Sequence, residues 1–569
     1  MAWPYHFVDL TPEQKVERRV LLDRYGVYAQ LSALVPILAF QLYRLASWVY
    51  SERQRAKIAY SAIPSSPKAK DARNSRMGAF LRQWRWAMWW LGGDVAEGWG
   101  TRGRWIAGAT WTVWLLFLSF HKTGDDYLHV TKRFGEVALS QFPLHYMLAL
   151  KSRYSPLALI FQSSHEELNP WHRTLGRIIY GMILLHATWY LNFFFQSGIL
   201  ASRLTVPIII IGLTALSMMT VLATSSLEVV RRWNYRVFFV LHVVIGSTLL
   251  PLLWFHASAL RWYVTEALLV FILDLVFRKM DTITDYARIS KVPQTKLLKL
   301  KVPIPSSKIG RFQAAPGQHV YLSIPSESAP SASSMALHSM LFNPFTVADV
   351  SETSITLVLR ALHGPTSKTL VHLAELSKAR PPINIEGPYG TSKKFPSLLT
   401  DYDRVLLVAG GVGATFVIPI YNSLREQMEA ESVSPDRLKL VWSMRSSTEA
   451  SWVMDLDERS PISKDEHAQI FATKNTTYDR QTDDVQPADG SVELDDLRSP
   501  RQQTLPINGG YGRPDLAAIV DAVFMQGSEE KVAVLVCGPV EMARELRGHV
   551  GRWVEQGRNV WWHNEAFGW

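Results

Sequence analysis

Two pairs of histidines share one spacing on strongly apolar stretches of the chain. His172 and His186 are 14 residues apart, and His242 and His256 are 14 residues apart. At 3.6 residues per turn this is just under four turns, so each pair lies on one helix face with about 21 Å between its members. The hydrocarbon core of a bilayer is about 30 Å thick, so each segment offers one imidazole near each membrane surface. One further apolar segment, about 204–225, lies between the two. The histidine helices therefore cross in the same direction, and His172 can face His242 while His186 faces His256. A lone intramembrane histidine often just hydrogen-bonds to a neighbouring helix, but ionisable groups at that depth are functional by default. Two matched pairs make the ligand set for two stacked haems, each held by two imidazoles. His145 and His165 have no partner at this spacing and read as structural.

The 569 residues are too many for one domain. The apolar residues crowd into the first half, which reads as seven spans at about 26–49, 104–121, 134–150, 172–191, 204–225, 236–257 and 261–278. The third is the weakest, because Glu136, Gln141 and Pro143 interrupt it. The stretch 51–103 is rich in lysine and arginine and is cytoplasmic on the positive-inside rule. Lys151 with Arg153, then Arg231, Arg232 and Arg236, then Arg278 with Lys279 fall on the same side. His172 and His242 are thus expected near the cytoplasm, His186 and His256 near the outer face, and the second half of the chain inside. The opening MAWPYHFVDL lacks a basic start followed by a short apolar run, so a cleavable signal peptide is not expected. The net charge of +10 points first to cytoplasmic loops and only second to nucleic acid; the basic loop could also touch anionic lipid headgroups, although a topology signal with a solvated face is its first reading. Trp84, Trp86, Trp89, Trp90 and Trp105 suit the interfacial belt. A single cysteine, Cys537, excludes an internal disulfide and a cysteine-based zinc or iron–sulfur site.

From about 285 to 395, short alternating strands broken by Gly and Pro (TKLLKLKVPI, GQHVYLSIP, SITLVLRAL, INIEGPYG) predict a small antiparallel barrel. From about 402 onward a buried strand, a glycine turn and a helix (DRVLLVAGGVGATFVIPIYNSLREQ), with later strand starts in LKLVWSMR and KVAVLVCGPVEM, predict a doubly wound α/β domain. The run Gly410, Gly411, Val412, Gly413, Ala414 puts bare backbone at a helix N-terminus, where amide donors and the helix dipole favour a phosphate. Residues 463–505 are a polar, acidic insert in which HAQIFATKN reads as a strand and the rest as disordered. The Asn475-Thr476-Thr477 sequon falls on the cytoplasmic side and is discounted.

Together these motifs resemble the ferric reductase and NADPH oxidase superfamily, particularly the fungal ferric reductases, over about residues 104–569. KRFGEVALSQFPL and WHRTLGR are similar to its haem-carrying core. PGQHVYL, NPFTV, LVLRALHGPTSKTL and EGPYG are similar to its flavin barrel. AGGVGATFVIP, WSMR, YGRPD, CGPVEM and the terminal HNEAFGW are similar to its nicotinamide domain, and the order is the family's. The resemblance implies a layout of 1–103 (first span and basic loop), 104–280 (haem-binding helical bundle), 281–398 (antiparallel β-barrel FAD domain) and 399–569 (α/β NADPH-binding domain carrying the insert). It implies that Asn343, Pro344, Phe345 and Thr346 lie along the flavin, with Asn343 standing where the family has histidine. Arg360, Gly364 and Thr366 would contact its diphosphate. Gly410 to Ala414 would take the nicotinamide cofactor's diphosphate, and Arg445 and Arg513 are candidates for the 2′-phosphate that selects NADPH. Cys537 and Gly538 would flank the nicotinamide ring, and Trp569 would cover the flavin until nicotinamide displaces it.

The expected activity is transfer of electrons from cytoplasmic NADPH, with FAD and two b-type haems as cofactors, to an acceptor outside. A ferric or cupric chelate is the first choice, because the two histidine spacings are equal as in the reductases. Superoxide production from oxygen is the runner-up, and a non-catalytic membrane scaffold or transporter is a third reading that four intact histidines disfavour. Asp125 and Asp126, in an outer loop, could attract a hard cation. A plasma-membrane location and coupling to an iron permease or ferroxidase are further expectations; oligomeric state is left open.

Overall fold

The computed structural model describes residues 4–58, 76–325, 342–376, 380–454, 462, 465–473, 507–527 and 530–566. Two compact units are described in turn.

The first unit holds residues 4–58 and 90–280 and is helical: α1 (Pro12–Leu31), α2 (Leu34–Ile58), α3 (Arg102–Phe120), α4 (Tyr127–Ser140), α5 (Phe142–Met147), α6 (His165–Gln196), α7 (Pro207–Ser225), α8 (Tyr235–His256) and α9 (Arg261–Asp281). Four stretches among the described residues are long and apolar enough to cross a membrane: Pro12–Val49, His165–Gln196, Pro207–Ser225 and Tyr235–His256. The first of them is broken at Ser32–Ala33. Pro36 causes this, since it has no N–H to donate and its ring would collide with the Ser32 carbonyl in a continuous helix. The expected spans 104–121 and 261–278 coincide with α3 and α9, which carry more polar groups, among them Arg104, Glu266 and Asp274.

The expected span 134–150 is not one helix. It divides into α4 and α5, with Gln141 at the joint and Pro143 in the first turn of α5. In α4 every residue except Leu128 and Lys132 is buried. Its polar groups face protein: Arg133 donates to the Leu118 carbonyl at 3.0 Å and lies 3.9 Å over the Tyr25 ring. Gln141 donates to the Ala29 carbonyl at 2.9 Å and accepts from the Trp111 indole at 3.2 Å. A helix sheathed by other helices needs no apolar outer face, which is why its hydropathy is weak.

The second unit holds residues 76–89 and 281–566 as described. Its first sheet comprises β1 (Ile283–Tyr286), β2 (Arg288–Lys291), β3 (Leu297–Pro303), β4 (His319–Ser323), β5 (Asn343–Val350), β6 (Ser354–Arg360) and β7 (Pro382–Tyr389). The order is β1-β7-β4-β5-β6-β3-β2, antiparallel at every pairing. Leu300, Val302, Val320, Leu322, Ile355, Leu357, Ile383 and Ile385 fill its interior, the alternate positions expected of strands with one face inward. The second sheet comprises β8 (Arg404–Gly410), β9 (Leu438–Met444), β10 (Ala468–Ala472), β11 (Gly510–Tyr511), β12 (Val532–Cys537) and β13 (Val560–Glu565), in the order β11-β10-β9-β8-β12-β13 and all parallel. All of β12 and all of β8 past Arg404 are buried, as parallel strands covered on both faces must be. The strand expected in HAQIFATKN is β10; residues 474–505 lie outside the described ones. Trp89 is not an interfacial residue. Its carbonyl accepts from Arg547 at 2.6 Å, the same guanidinium lies 4.3 Å over its ring, and it meets Trp562 edge-on at 5.8 Å.

Candidate functional site: histidine pairs in the helices and two cofactor-binding sheets

The helical unit brings the two histidine helices together through α7, which packs on both. His172 and His242 have ring centroids 6.0 Å apart and planes at 68°. At that separation the two rings would leave room for a metal ion between them. His186 and His256 lie 14 residues further along the same two helices. The hydrogen bonds decide which nitrogen each imidazole can offer. His172 Nδ1–H donates to the His145 carbonyl at 3.0 Å, His186 Nδ1–H to the Thr131 carbonyl at 2.7 Å, and His256 Nδ1–H to the Ile208 carbonyl at 3.1 Å. His242 Nδ1 is 3.3 Å from the Ser226 hydroxyl, whose own proton goes to the Leu222 carbonyl at 2.6 Å, so here too the imidazole donates. Each Nδ1–H is thus committed to an oxygen, and each Nε2 keeps its lone pair. This is the tautomer and the outer-shell support that metal-bound histidines have. Among the described residues no group of three or more His, Cys, Asp or Glu forms a metal cluster, so the donor set is two imidazoles per site. That suits an iron whose remaining ligands come from a porphyrin.

Glycines make the outer pair possible. Thr131 and Ile208 are each followed four residues later by glycine, and a Cβ on Gly135 would stand 2.8 Å from His186 Cε1 and Nδ1, one on Gly212 2.7 Å from His256 Cε1. The bare glycine lets the imidazole reach past the helix wall to the carbonyl one turn earlier. His145, read from sequence as merely structural, stacks on His172 at 4.0 Å and 13° and supplies its carbonyl. The sequence reading missed His145, Thr131, Ile208 and Ser226 as supports. The glycine four positions on was the one available signal.

In the antiparallel sheet, Asn343, Pro344, Phe345 and Thr346 open β5, with His319 on β4 opposite Thr346. Asn343 donates to the Thr366 hydroxyl at 2.8 Å. Gly364 is the N-cap of the helix Pro365–Glu375, so Thr366 stands in its first turn, where amide donors gather. Arg360, at the end of β6, is engaged: its guanidinium donates to both Glu449 oxygens at 3.0 and 3.1 Å.

In the parallel sheet the strand order reverses between β8 and β12, and ligands of such sheets bind outside the carboxyl ends of the strands at that point. β8 ends in Gly410, a single turn covers Gly411–Gly413, and α10 (Ala414–Glu431) follows. Gly411 has φ +55, and a Cβ on Gly413 would lie 2.1 Å from the Cys537 carbonyl oxygen, so the turn and the Cys537-Gly538 corner touch backbone to backbone. The Trp442 indole pins the turn by donating to the Gly411 carbonyl at 3.1 Å. Arg445 and Arg513 follow β9 and β11 at the same edge of the sheet, and both are exposed. Cys537 is buried, and burial and the neighbouring Glu565 push its thiol well above the ordinary range, so it stays protonated. Trp569 lies outside the described residues.

Three family models match the chain in succession: the ferric reductase like transmembrane component over residues 134–253, an FAD-binding domain over 284–393, and the ferric reductase NAD binding domain over 402–550. The chain belongs to the ferric reductase superfamily. It is a multi-pass membrane oxidoreductase with an FAD-binding and a nicotinamide-binding domain. Among its relatives, a probable metalloreductase AIM14 of Scheffersomyces stipitis is 26% identical over 500 residues, covering 81% of this chain and 86% of the relative. Ferric reductase transmembrane component 1 of Schizosaccharomyces pombe is 24% identical, covering 74% of this chain and 76% of the relative. Ferric reductase transmembrane component 3 of Saccharomyces cerevisiae is 24% identical over 74% of this chain and 58% of its own length. In this reductase the transmembrane match takes in His172, His186 and His242 and stops just before His256.

Proposed function

We propose that the chain transfers electrons from cytoplasmic NADPH to a ferric or cupric chelate on the outer side of the plasma membrane, reducing Fe3+ to Fe2+ for metal uptake. The observation that carries this reading is the commitment of all four imidazole Nδ1–H groups to oxygen acceptors. When bound, NADPH supplies a hydride, FAD divides it into single electrons, and the two b-type haems relay those one at a time. His172 with His242, and His186 with His256, would hold the two haems, whose chemistry there would be electron transfer.

The remaining residues bind and orient. Asn343 and Thr346 would line the flavin, and Arg360, Gly364 and Thr366 would receive its diphosphate. Gly410, Gly411, Val412, Gly413 and Ala414 receive the nicotinamide diphosphate on backbone amides, Arg445 and Arg513 the 2′-phosphate. Cys537 and Gly538 would border the nicotinamide, the neutral thiol adding no charge beside the hydride path. With a negative cell interior, outward electron flow is downhill by about 2.3 kcal/mol per charge per 100 mV.

Proteoliposomes with NADPH on the domain-bearing side and ferric chelate only on the other test this. Ferrous iron should appear on the chelate side at a rate insensitive to superoxide dismutase, and His172→Ala or His186→Ala should abolish it. NADPH oxidation without ferrous iron on the far side, or full sensitivity to the dismutase, would overturn the reading in favour of oxygen as acceptor.

A further inference from the structure

One cavity lies beyond His186, towards the C-terminal end of α6. Its volume is about 600 Å³, and His6, Phe7, Tyr127, Trp189, Asn192 and Gln196 give it its character. Trp189 and Asn192 follow His186 by three and six residues on α6, so they stand about 4.5 and 9 Å further along the axis. Tyr127 precedes Thr131 by one turn of α4, and Thr131 is the residue whose carbonyl holds His186. Two helices, α4 and α6, thus connect the cavity with His186.

Its walls are ordered. Tyr127 and Trp189 stack at 4.9 Å and 19°, and Phe7 meets Tyr127 edge-on at 5.1 Å. A chain of hydrogen bonds runs from the Gln196 side-chain amide to Asn192 Oδ1 at 3.1 Å, from Asn192 Nδ2 to the Tyr127 hydroxyl at 2.9 Å, and from that hydroxyl to the Trp189 backbone carbonyl at 3.1 Å. The N-terminal arm closes one side. His6 N–H donates to the Asp125 carbonyl at 2.8 Å, and Tyr127 N–H to the His6 carbonyl at 3.0 Å.

The charge of the lining selects the ligand. Among the described residues, the cavity walls hold aromatic rings, amides and an imidazole, and no carboxylate. Asp126, adjacent in sequence, is occupied: it pairs with Arg18 at 2.9 Å and caps α4 through the His129 N–H at 3.0 Å. A hydrated ferric ion, which prefers hard oxygen ligands, finds no charged oxygen in this lining. Asp126 is therefore not available to a cation in this cavity. Ring faces suit a flat organic ligand, amide N–H groups suit its metal-bound oxygens, and a volume within the usual range of about 300–1,000 Å³ suits a small complex.

We propose that this cavity is the acceptor site and that it takes iron as a neutral organic chelate with planar ligands, not as the hydrated or highly anionic metal. The assignment rests on the outward electron path proposed above. In the reaction each ferric chelate gains one electron and keeps its ligands. One NADPH reduces two chelates to the ferrous state, leaving NADP⁺ and releasing one proton on the cytoplasmic side.

Tris(maltolato)gallium(III) is a neutral, redox-inert counterpart of the ferric complex, so its binding can be measured with no electron transfer. Calorimetry on the haem-loaded full chain in nanodiscs should show one site for this probe, with gallium–EDTA at least tenfold weaker. Asn192→Leu and Phe7→Ala, the second a change in the exposed arm, should each weaken the neutral probe at least tenfold, with haem content verified by absorbance. No binding by the parent, equal binding of the two gallium complexes, or unchanged binding in both variants would overturn the assignment. Reduction of the parent's haems by NADPH without any chelate is recorded separately. Its failure would remove the electron path, while the calorimetry would still report whether the site exists.

Discussion

Gly135→Ala tests the outer histidine pair most directly. The added methyl would lie 2.8 Å from His186 Cε1 and Nδ1 and 3.2 Å from Cγ. Carbon contacts relax at about 3.5–4.0 Å, so the ring must retreat by roughly 0.7–1.2 Å. Metal–ligand distances hold within about ±0.2 Å, so that retreat exceeds what an iron–imidazole bond tolerates several-fold. The backbone gives no compensating fault, since replacing a mid-helix glycine by alanine favours the helix by about 0.5–1 kcal/mol. The expected result is a folded protein whose haem-to-protein ratio falls from two towards one, measured as pyridine haemochrome against flavin and protein. Gly212→Ala, with its methyl 2.7 Å from His256 Cε1, should remove the same haem, so the double variant should lose no more than either single one. Gly181→Ala on α6 is the control, because no atom lies within 4 Å of its added methyl. Retention of two haems with an unchanged Soret band in Gly135→Ala would refute the geometry.

Three further outcomes are expected. Glu449→Gln should release Arg360 for the flavin diphosphate and tighten FAD about two- to fivefold, since a partly exposed ion pair is worth up to about 1 kcal/mol; weaker FAD binding would count against Arg360 as a diphosphate ligand. Cys537 should resist alkylation in the native protein at pH 8.5 and react fully in guanidinium. Because folding raises this thiol's pKa, its contribution to stability is complete below the unfolded value of about 8.5 and declines as pH rises past it, by at most about 1.4 kcal/mol per unit; flat stability over that range in denaturant titrations would contradict the burial. Ser226→Ala removes the acceptor for His242 Nδ1–H and should weaken the inner haem about tenfold or more, seen as faster haem transfer to apomyoglobin; unchanged transfer would mean the hydroxyl supports nothing.

Much of the site was legible because it repeats along one chain direction. The histidine spacing puts imidazoles on one helix face, the alternation in SITLVLR gives β6, and the apolar run before Gly410 gives β8. What joins different elements was not legible. Arg360 and Glu449 are 89 positions apart, and no periodicity connects them. The acceptors for His172, His186 and His256 are backbone carbonyls, which every residue has. Hydropathy also scores contact with lipid, so α4, which is buried in protein, was drawn as a poor span.

The misread joint between α4 and α5 explains the inner site. In a continuous helix the His145 carbonyl would accept from the amide of residue 149. Here α5 ends at Met147 and the Ala149 N–H goes to Tyr146 at 3.0 Å, leaving His145 among the carbonyls that every helix end exposes. That carbonyl takes the His172 Nδ1–H. The outer pair reaches carbonyls within helices instead and needs glycine one turn on to do so. α7 serves the other histidine helix at both ends, holding His256 through Ile208 and His242 through Ser226, its C-cap. Two solutions to one problem thus set the depth of the four imidazoles, a helix ended early at the inner site and a helix thinned by glycine at the outer. A continuous third span would have removed the first of them, so the polar residues that spoil its hydropathy are part of how His172 is held.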